Sequence, residues 1–301
     1  MTDPIRDLFG VHSERKGCRR GVAVREVSRS TLQRLIDGPE SIFRIRASAM
    51  VKNDVQTCLV RATIPTPNGD LPVAGKRVRR LGIRKILSSL LIGNRALKSW
   101  NLAVSRTARG IATARPVAAV FSGRRHPAHE TFLFHEWLEG AEQVDQFIET
   151  SRVWSGRKRL NLEIAAAESL GRAIGRLHSE GFSHRDLKVS NLMLRKHADG
   201  VEAFIIDLDG AASPLWLMSR RRYRDLARLC ICFPDETEVR RSVMWRFLES
   251  YRTHGPDEDI TVRQLWKRVD LSARRLRRRK RRPYPVSVDD RSTMADAVDP
   301  D

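Results

Sequence analysis

Residues 184–191 read His184-Arg185-Asp186-Leu187-Lys188-Val189-Ser190-Asn191, and no other stretch constrains the chain as much. The octapeptide stands between a long amphipathic segment and two short apolar runs. Residues 162–180 place Ala166, Leu170, Ile174 and Leu177 on one helical face, with Gly181 where a C-cap belongs. Downstream, Leu192-Met193-Leu194 and residues 203–206 read as the strands of a hairpin joined through His197-Ala198-Asp199-Gly200. A helix, a polar loop and a hairpin in that order fix the loop's side chains between rigid elements. The second strand delivers Asp207 at its end, 21 positions after Asp186.

The octapeptide fits H-R-D-L-x-x-x-N at every fixed position. Phosphoryl transfer needs a carboxylate to orient or deprotonate the acceptor hydroxyl, and Asp186 has that place. It needs oxygen donors for a metal, and Asn191 and Asp207 are placed to supply them. Lys188, two residues beyond Asp186, can steady the charge of the transferred group. Leu208 and Asp209 stand where D-F-G has Phe and Gly. A nucleotide-pairing lysine is found in Leu71-Pro72-Val73-Ala74-Gly75-Lys76-Arg77-Val78, a strand with Lys76 at its centre. Backbone groups from Glu136 to Leu138, after an apolar strand, are placed to meet adenine. Asp225 has two readings: a brace for the catalytic loop's N–H groups, or a helix N-terminal acid favoured by the dipole.

Two parts are missing from the sequence. No G-x-G-x-x-G is present, and the turn at 52–57 has no glycine. From 71 to 129 there is no Asp or Glu, so no small-lobe helix can offer Lys76 an acid; its expected position holds Ser99. Lys76 must pair outside this stretch, with Asp207 the candidate, or the protein is a weak or inactive kinase.

The rest of the chain supplies two lobes. Residues 1–30 read as a loosely ordered extension. Residues 31–135 read as a small lobe: strands at 43–51, 57–64 and 71–78 in an antiparallel meander, a helix at 95–109, and a strand pair at 116–121 and 131–137. Residues 136–282 read as a mainly helical lobe, with further helices at 222–232, 238–253 and 262–282. Residues 283–301, with five Asp and one Arg, read as a disordered acidic tail. The class expected is α+β.

No apolar run is long enough to span a bilayer, and the first 16 residues do not read as a signal peptide. Four cysteines without a CxxC pair suggest a reduced, cytoplasmic setting. The formal net charge is +20, from 56 basic and 36 acidic residues. The acid-free stretch at 71–129 holds 13 Lys or Arg, which suggests an anionic surface facing acceptor phosphates or lipid headgroups. Residues 274–282 hold eight basic residues in nine; membrane contact, nucleic-acid contact and a solvated helix end all fit. Nucleic acid ranks last, because aromatics are 6% and are not interleaved with the arginines.

Taken together, the chain resembles the lipopolysaccharide core kinases, the bacterial enzymes that phosphorylate heptose or Kdo. The resemblance spans about residues 43–268. It rests on Val73-Ala74-Gly75-Lys76-Arg77, Arg95-Ala96-Leu97-Lys98-Ser99-Trp100, Gly110-Ile111-Ala112-Thr113-Ala114-Arg115-Pro116, the octapeptide, Ile206-Asp207-Leu208-Asp209 and Arg224-Asp225-Leu226-Ala227-Arg228-Leu229. No Ala-Pro-Glu follows Asp207, and only about 15 residues separate it from the next helix, too few for a long peptide-binding segment. The resemblance implies a two-lobed protein-kinase-like fold and ATP- and Mg²⁺-dependent transfer to an inner-core sugar hydroxyl. It implies an anionic glycolipid acceptor and a position peripheral to the inner face of the cytoplasmic membrane. The competing readings are a protein or small-molecule kinase of the same fold, and a pseudokinase that docks on a membrane or partner.

Overall fold

The computed structural model describes residues 9–44, 50–53, 57–79, 95–122, 130–208, 219–233, 239–256 and 259–280. The small lobe is built on one sheet, with strands β1 (His12–Lys16), β2 (Arg19–Ala23), β3 (Met50–Asn53), β4 (Thr57–Thr66), β5 (Gly69–Arg79), β6 (Pro116–Ser122) and β7 (Glu130–Glu136). Their order is β1-β2-β6-β7-β5-β4-β3, with every neighbour antiparallel. The expected meander is present as β3-β4-β5, but it is one half of a larger sheet.

The other half includes a correction. Residues 12–23, expected as a loose extension, form a hairpin that adds two strands beyond β6. The charged side chains of β1 hide it from a hydrophobicity reading, while Val22 and Ala23 of β2 are fully buried. Gly17 makes the turn with φ +57°, a conformation that favours glycine. Helix α1 (Arg29–Asp37) packs on this hairpin through Leu32, Leu35 and Ile36, and Ser28 caps it by accepting the Thr31 N–H at 3.1 Å. The packing requires Gly21, where a Cβ would lie 2.8 Å from Ile36 and Leu32. The strand expected at 43–51 is also corrected: residues 39–43 form a 3-10 turn that turns Phe43 onto Phe132 at 5.6 Å.

Helix α2 (Arg95–Ala108) crosses from the sheet toward the large lobe. Trp100 and Val104 join the small-lobe core with Phe132 and Phe134. The large lobe holds β8 (Ala141–Gln143), α3 (Val144–Ser151), α4 (Gly156–Ser179), β9 (Leu192–His197), β10 (Gly200–Ile205), α5 (Ser219–Cys230), α6 (Arg241–His254) and α7 (Val262–Lys280). The expected hairpin gains a third strand, in the order β10-β9-β8. Its core surrounds α4, with Ile174, Leu177, Leu187 and Ile205 fully buried. α6 crosses α4 at Gly171 and Gly175, close enough that a Cβ on Gly171 would lie 2.4 Å from the Phe247 carbonyl oxygen. Most of the basic run at 274–282 is the exposed end of α7; residues 281 and 282, like the acidic tail, lie outside the described residues.

Candidate active site

The loop that carries the octapeptide leaves α4 at Gly181 and is anchored from below. Asp225, on α5, is fully buried. One of its oxygens accepts the Ser183 hydroxyl at 2.6 Å and the His184 N–H at 2.8 Å. The other accepts the Arg185 N–H at 3.1 Å and the Arg228 guanidinium at 3.3 Å. Burial alone would raise its pKa, but the His178 ring at 3.5 Å, the Ser183 hydroxyl and the Arg228 charge outweigh it and hold the carboxyl below its usual range. Of the two readings of Asp225, the structure selects the brace. Arg185 sits at φ +69°, in the left-handed region, and the hydrogen bonds on both sides of it hold that conformation.

His184 ties the loop to the next strand. Its Nε2 lies 3.0 Å from the Ile206 carbonyl oxygen, so this nitrogen carries the proton and donates. Its Nδ1 then accepts the Asp186 N–H at 3.4 Å. Burial pushes its pKa down, which keeps the ring neutral and suits that tautomer. The Ile206 N–H donates to the Asn191 carbonyl at 3.0 Å, and Asn191 Nδ2 donates to the Asp186 carbonyl at 2.9 Å. Asp186 and Asp207 are thus held on one hydrogen-bonded frame.

The side chains on that frame meet the expected lysines. Lys188 Nζ lies 2.9 Å from Asp186 Oδ2. Lys76, in the second half of β5 opposite Leu59 and Leu133, reaches across the cleft to Asp207 Oδ1 at 2.5 Å. Asp207 has φ +58°, the second left-handed non-glycine residue among those described. The acid that the sequence lacks between 71 and 129 is therefore replaced, for Lys76, by Asp207. The side chain of Ser99, and Asp209 and the 54–56 turn, lie outside what is described.

Glu136 and Leu138 stand apart from this group. β7 pairs with β5, which carries Lys76, and its end leads into the large lobe. There the Glu136 N–H donates to Arg115 O at 2.8 Å and the Trp137 N–H to Pro72 O at 3.0 Å. Glu136 Oε2 accepts Arg115 Nε at 3.1 Å, so its side chain is engaged by Arg115.

One residue of the site was not visible in the sequence. Arg106, on α2, is 1% exposed and donates to the Leu208 carbonyl at 2.8 Å. Its guanidinium lies 5.1 Å from the Phe182 ring centroid. An arginine on an amphipathic helix reads as solvent-facing, and nothing in the local pattern marks it otherwise.

A magnesium ion fits the donor set. Asn191 turns its Nδ2 inward to Asp186 O, which leaves its side-chain oxygen for a cation. Asp207 offers a carboxylate that is 46% exposed. A hard ion that takes one or two protein carboxylates and completes its shell with phosphate and water suits this sparse set. Among the described residues no three His, Cys, Asp or Glu side chains cluster to cage a metal by themselves.

The sequence pattern of the lipopolysaccharide kinase (Kdo/WaaP) family matches residues 82–251. A solved structure of WaaP in complex with acyl carrier protein aligns with a TM-score of 0.55 at 23% identity, over 81% of this chain and 95% of that one. The crystal structure of the BubR1 kinase domain is a fainter likeness, with a TM-score of 0.41, 11% identity, and 67% of this chain and 50% of that one covered. No curated protein sequence matches the chain.

Proposed function

Since the chain belongs to the lipopolysaccharide kinase (Kdo/WaaP) family, whose pattern covers more than half of it, we propose that it transfers the γ-phosphate of ATP to a heptose or Kdo hydroxyl of the lipopolysaccharide inner core. The chain is a kinase with a two-lobed, α+β, protein-kinase-like fold. The observation that carries the finer reading is the continuous frame Lys76–Asp207, Ile206–Asn191, Asp186–Lys188. It supports an active enzyme over a pseudokinase, because the lysine without a helix acid still has a carboxylate partner.

In this reading Asp186 takes the proton of the acceptor hydroxyl, and Lys188 beside it steadies the charge of the transferred phosphoryl group. Lys76 leaves Asp207 for the α- and β-phosphates when nucleotide enters, and backbone groups from Glu136 to Leu138 seat the adenine. Asn191 and Asp207 hold Mg²⁺, which when bound neutralises phosphate charge.

The acceptor is an anionic glycolipid, and the protein works at the inner face of the cytoplasmic membrane as a peripheral protein. No helix among the described residues is long and apolar enough to cross a membrane. Surface contact is supported by the tip between α3 and α4. Val153 there is 85% exposed and Trp154 40% exposed, with Arg152, Arg157 and Lys158 around them. An apolar tip ringed by cations suits an anionic lipid surface, as does the exposed arginine run of α7. The relative solved with acyl carrier protein adds a partner to test, since an apolar cavity of about 620 Å³ among α3 to α7, lined by Phe147, Leu170, Leu226 and Phe247, has room for an acyl chain.

The test is an acceptor panel with Mg-ATP: a lipid A–Kdo glycolipid with heptose, one without heptose, and a bulk protein. Transfer to either glycolipid supports the reading and separates heptose from Kdo. Transfer to protein alone overturns it.

A further inference from the structure

Arg106 is a charged side chain placed inside the protein. A buried guanidinium is tolerated when its donors are engaged, and here the partner on the frame is the carbonyl of Leu208, the residue after Asp207. Its position on α2 matters as much as its burial. Trp100 and Val104 of α2 face the small-lobe core. Arg106 lies two residues after Val104, about 200° around the helix, and so faces the large lobe. Phe182 beneath it and Leu208 beside it both belong to the large-lobe structure, at 1% and 7% exposure. α2 has no Asp or Glu, so it has no acid with which to reach Lys76.

We propose that Arg106 is a positioning residue: from the large-lobe face of α2 it fixes the Leu208 carbonyl, and thereby holds Asp207 in its left-handed conformation with the carboxylate aimed at Lys76 and the metal position. The inference rests on the kinase reading of Asp207. It replaces the missing charge link between helix and lysine by a link from the helix to the backbone beside the metal-binding acid. The chain of contacts runs from Arg106 to Leu208 O by a hydrogen bond, along the backbone to Asp207, and from Asp207 to Lys76 by an ion pair. Loss of the donor frees the Asp207 backbone to leave φ +58° for the region that non-glycine residues prefer. The carboxylate then holds Mg²⁺ poorly, while the adenine seat at the end of β7 is untouched.

The test measures binding, not turnover. Calorimetry of the full chain with ATP is run over a Mg²⁺ series, on wild type, Arg106→Met, which keeps volume and loses the donor, and Arg106→Lys, which keeps a donor. The Mg²⁺ concentration for half-maximal ATP binding is expected to rise about tenfold or more in R106M. It is expected to stay within about threefold of wild type in R106K. Metal-free ATP affinity is expected to be the same in all three. A role confined to holding the lobes together would weaken both kinds of binding alike, or neither, and either result overturns the proposal. If R106M does not fold, Arg106→Gln takes its place, whose shorter side chain withdraws the donor from the Leu208 carbonyl: a raised Mg²⁺ requirement at constant metal-free affinity supports the proposal, and an unchanged one overturns it. Wild type that binds metal-free ATP and R106M with unchanged Mg²⁺ demand sinks this inference alone. Wild type that binds no ATP at all sinks the kinase reading with it.

Discussion

Replacing Asp225 with Asn tests the brace under the loop at 183–191 at nearly constant volume. The carboxylate offers two oxygens to four donors: Ser183 Oγ and the His184 N–H on one, the Arg185 N–H and Arg228 on the other. An amide has one oxygen. Set toward Ser183 and His184, it turns an NH₂ toward the Arg185 N–H and Arg228; set the other way, it faces the other two donors. Either way two bonds to a charged acceptor are lost, each worth about 1.5–3 kcal/mol when the site is buried. Arg228 is 26% exposed and recovers part of its loss in water, so the expected cost is about 3 kcal/mol. That is a large fraction of a total stability of about 5–15 kcal/mol. Urea denaturation measures it. The same variant changes the acid limb. Because the folded pKa of Asp225 is depressed, its contribution is present above the unfolded value of about 3.9 and is lost as pH falls through the folded value. D225N therefore narrows the gap to wild type below about pH 3.9. A cost under about 1 kcal/mol at neutral pH, or a gap that does not shrink in acid, would refute the brace.

Three further outcomes follow from the same geometry. Gly171→Ala sets a Cβ against the Phe247 carbonyl where α4 and α6 cross, and is expected to lower stability by about 2–3 kcal/mol in denaturant, against a near-neutral Gly38→Ala, whose Cβ meets nothing. Lys76→Met removes the partner of Asp207 without opening the core, so ATP affinity should fall about tenfold or more while the thermal midpoint stays close to wild type. His184 is held neutral with its pKa below the unfolded value of about 6.5. Its share of stability is full above that pH and is lost as pH falls from there through the folded value, so His184→Asn should flatten the stability profile below about pH 6.5.

The legible parts of this protein are those where chemistry and spacing coincide in one stretch. The octapeptide, the strand that ends in Asp207, and Lys76 on its strand each declare a residue and the element that holds it. The structure sets the three within one set of contacts. Helices α2, α5, α6 and α7 stand within about three residues of where the sequence puts them, and α4 begins six residues before its expected start. The missed parts are those where charge obscured burial. β1 is a run of His, Ser, Glu, Arg and Lys on the edge of a sheet, and a hydrophobic reading passes over it, although Val22, Ala23 and Val24 follow closely. Arg106 is a more general case. On a helix packed on two sides, the polar face is itself an interface, and sequence periodicity does not distinguish it from a face in water. Asp225 stood between two readings because a helix-terminal acid and a loop anchor have the same local sequence; only its full burial and its four donors separate them.

If the frame from Lys76 to Lys188 moves phosphate onto an inner-core sugar with Asp186 as the base, label reaches the glycolipid only while that carboxylate is present. The direct measurement is transfer of labelled γ-phosphate from Mg-ATP to a lipid A–Kdo–heptose glycolipid, by wild type and by Asp186→Asn at matched fold and matched ATP binding. Labelled glycolipid is expected from wild type, with a loss of about a hundredfold or more in the variant. Equal labelling by both proteins, or ATP bound by wild type with no label on the glycolipid, would contradict it.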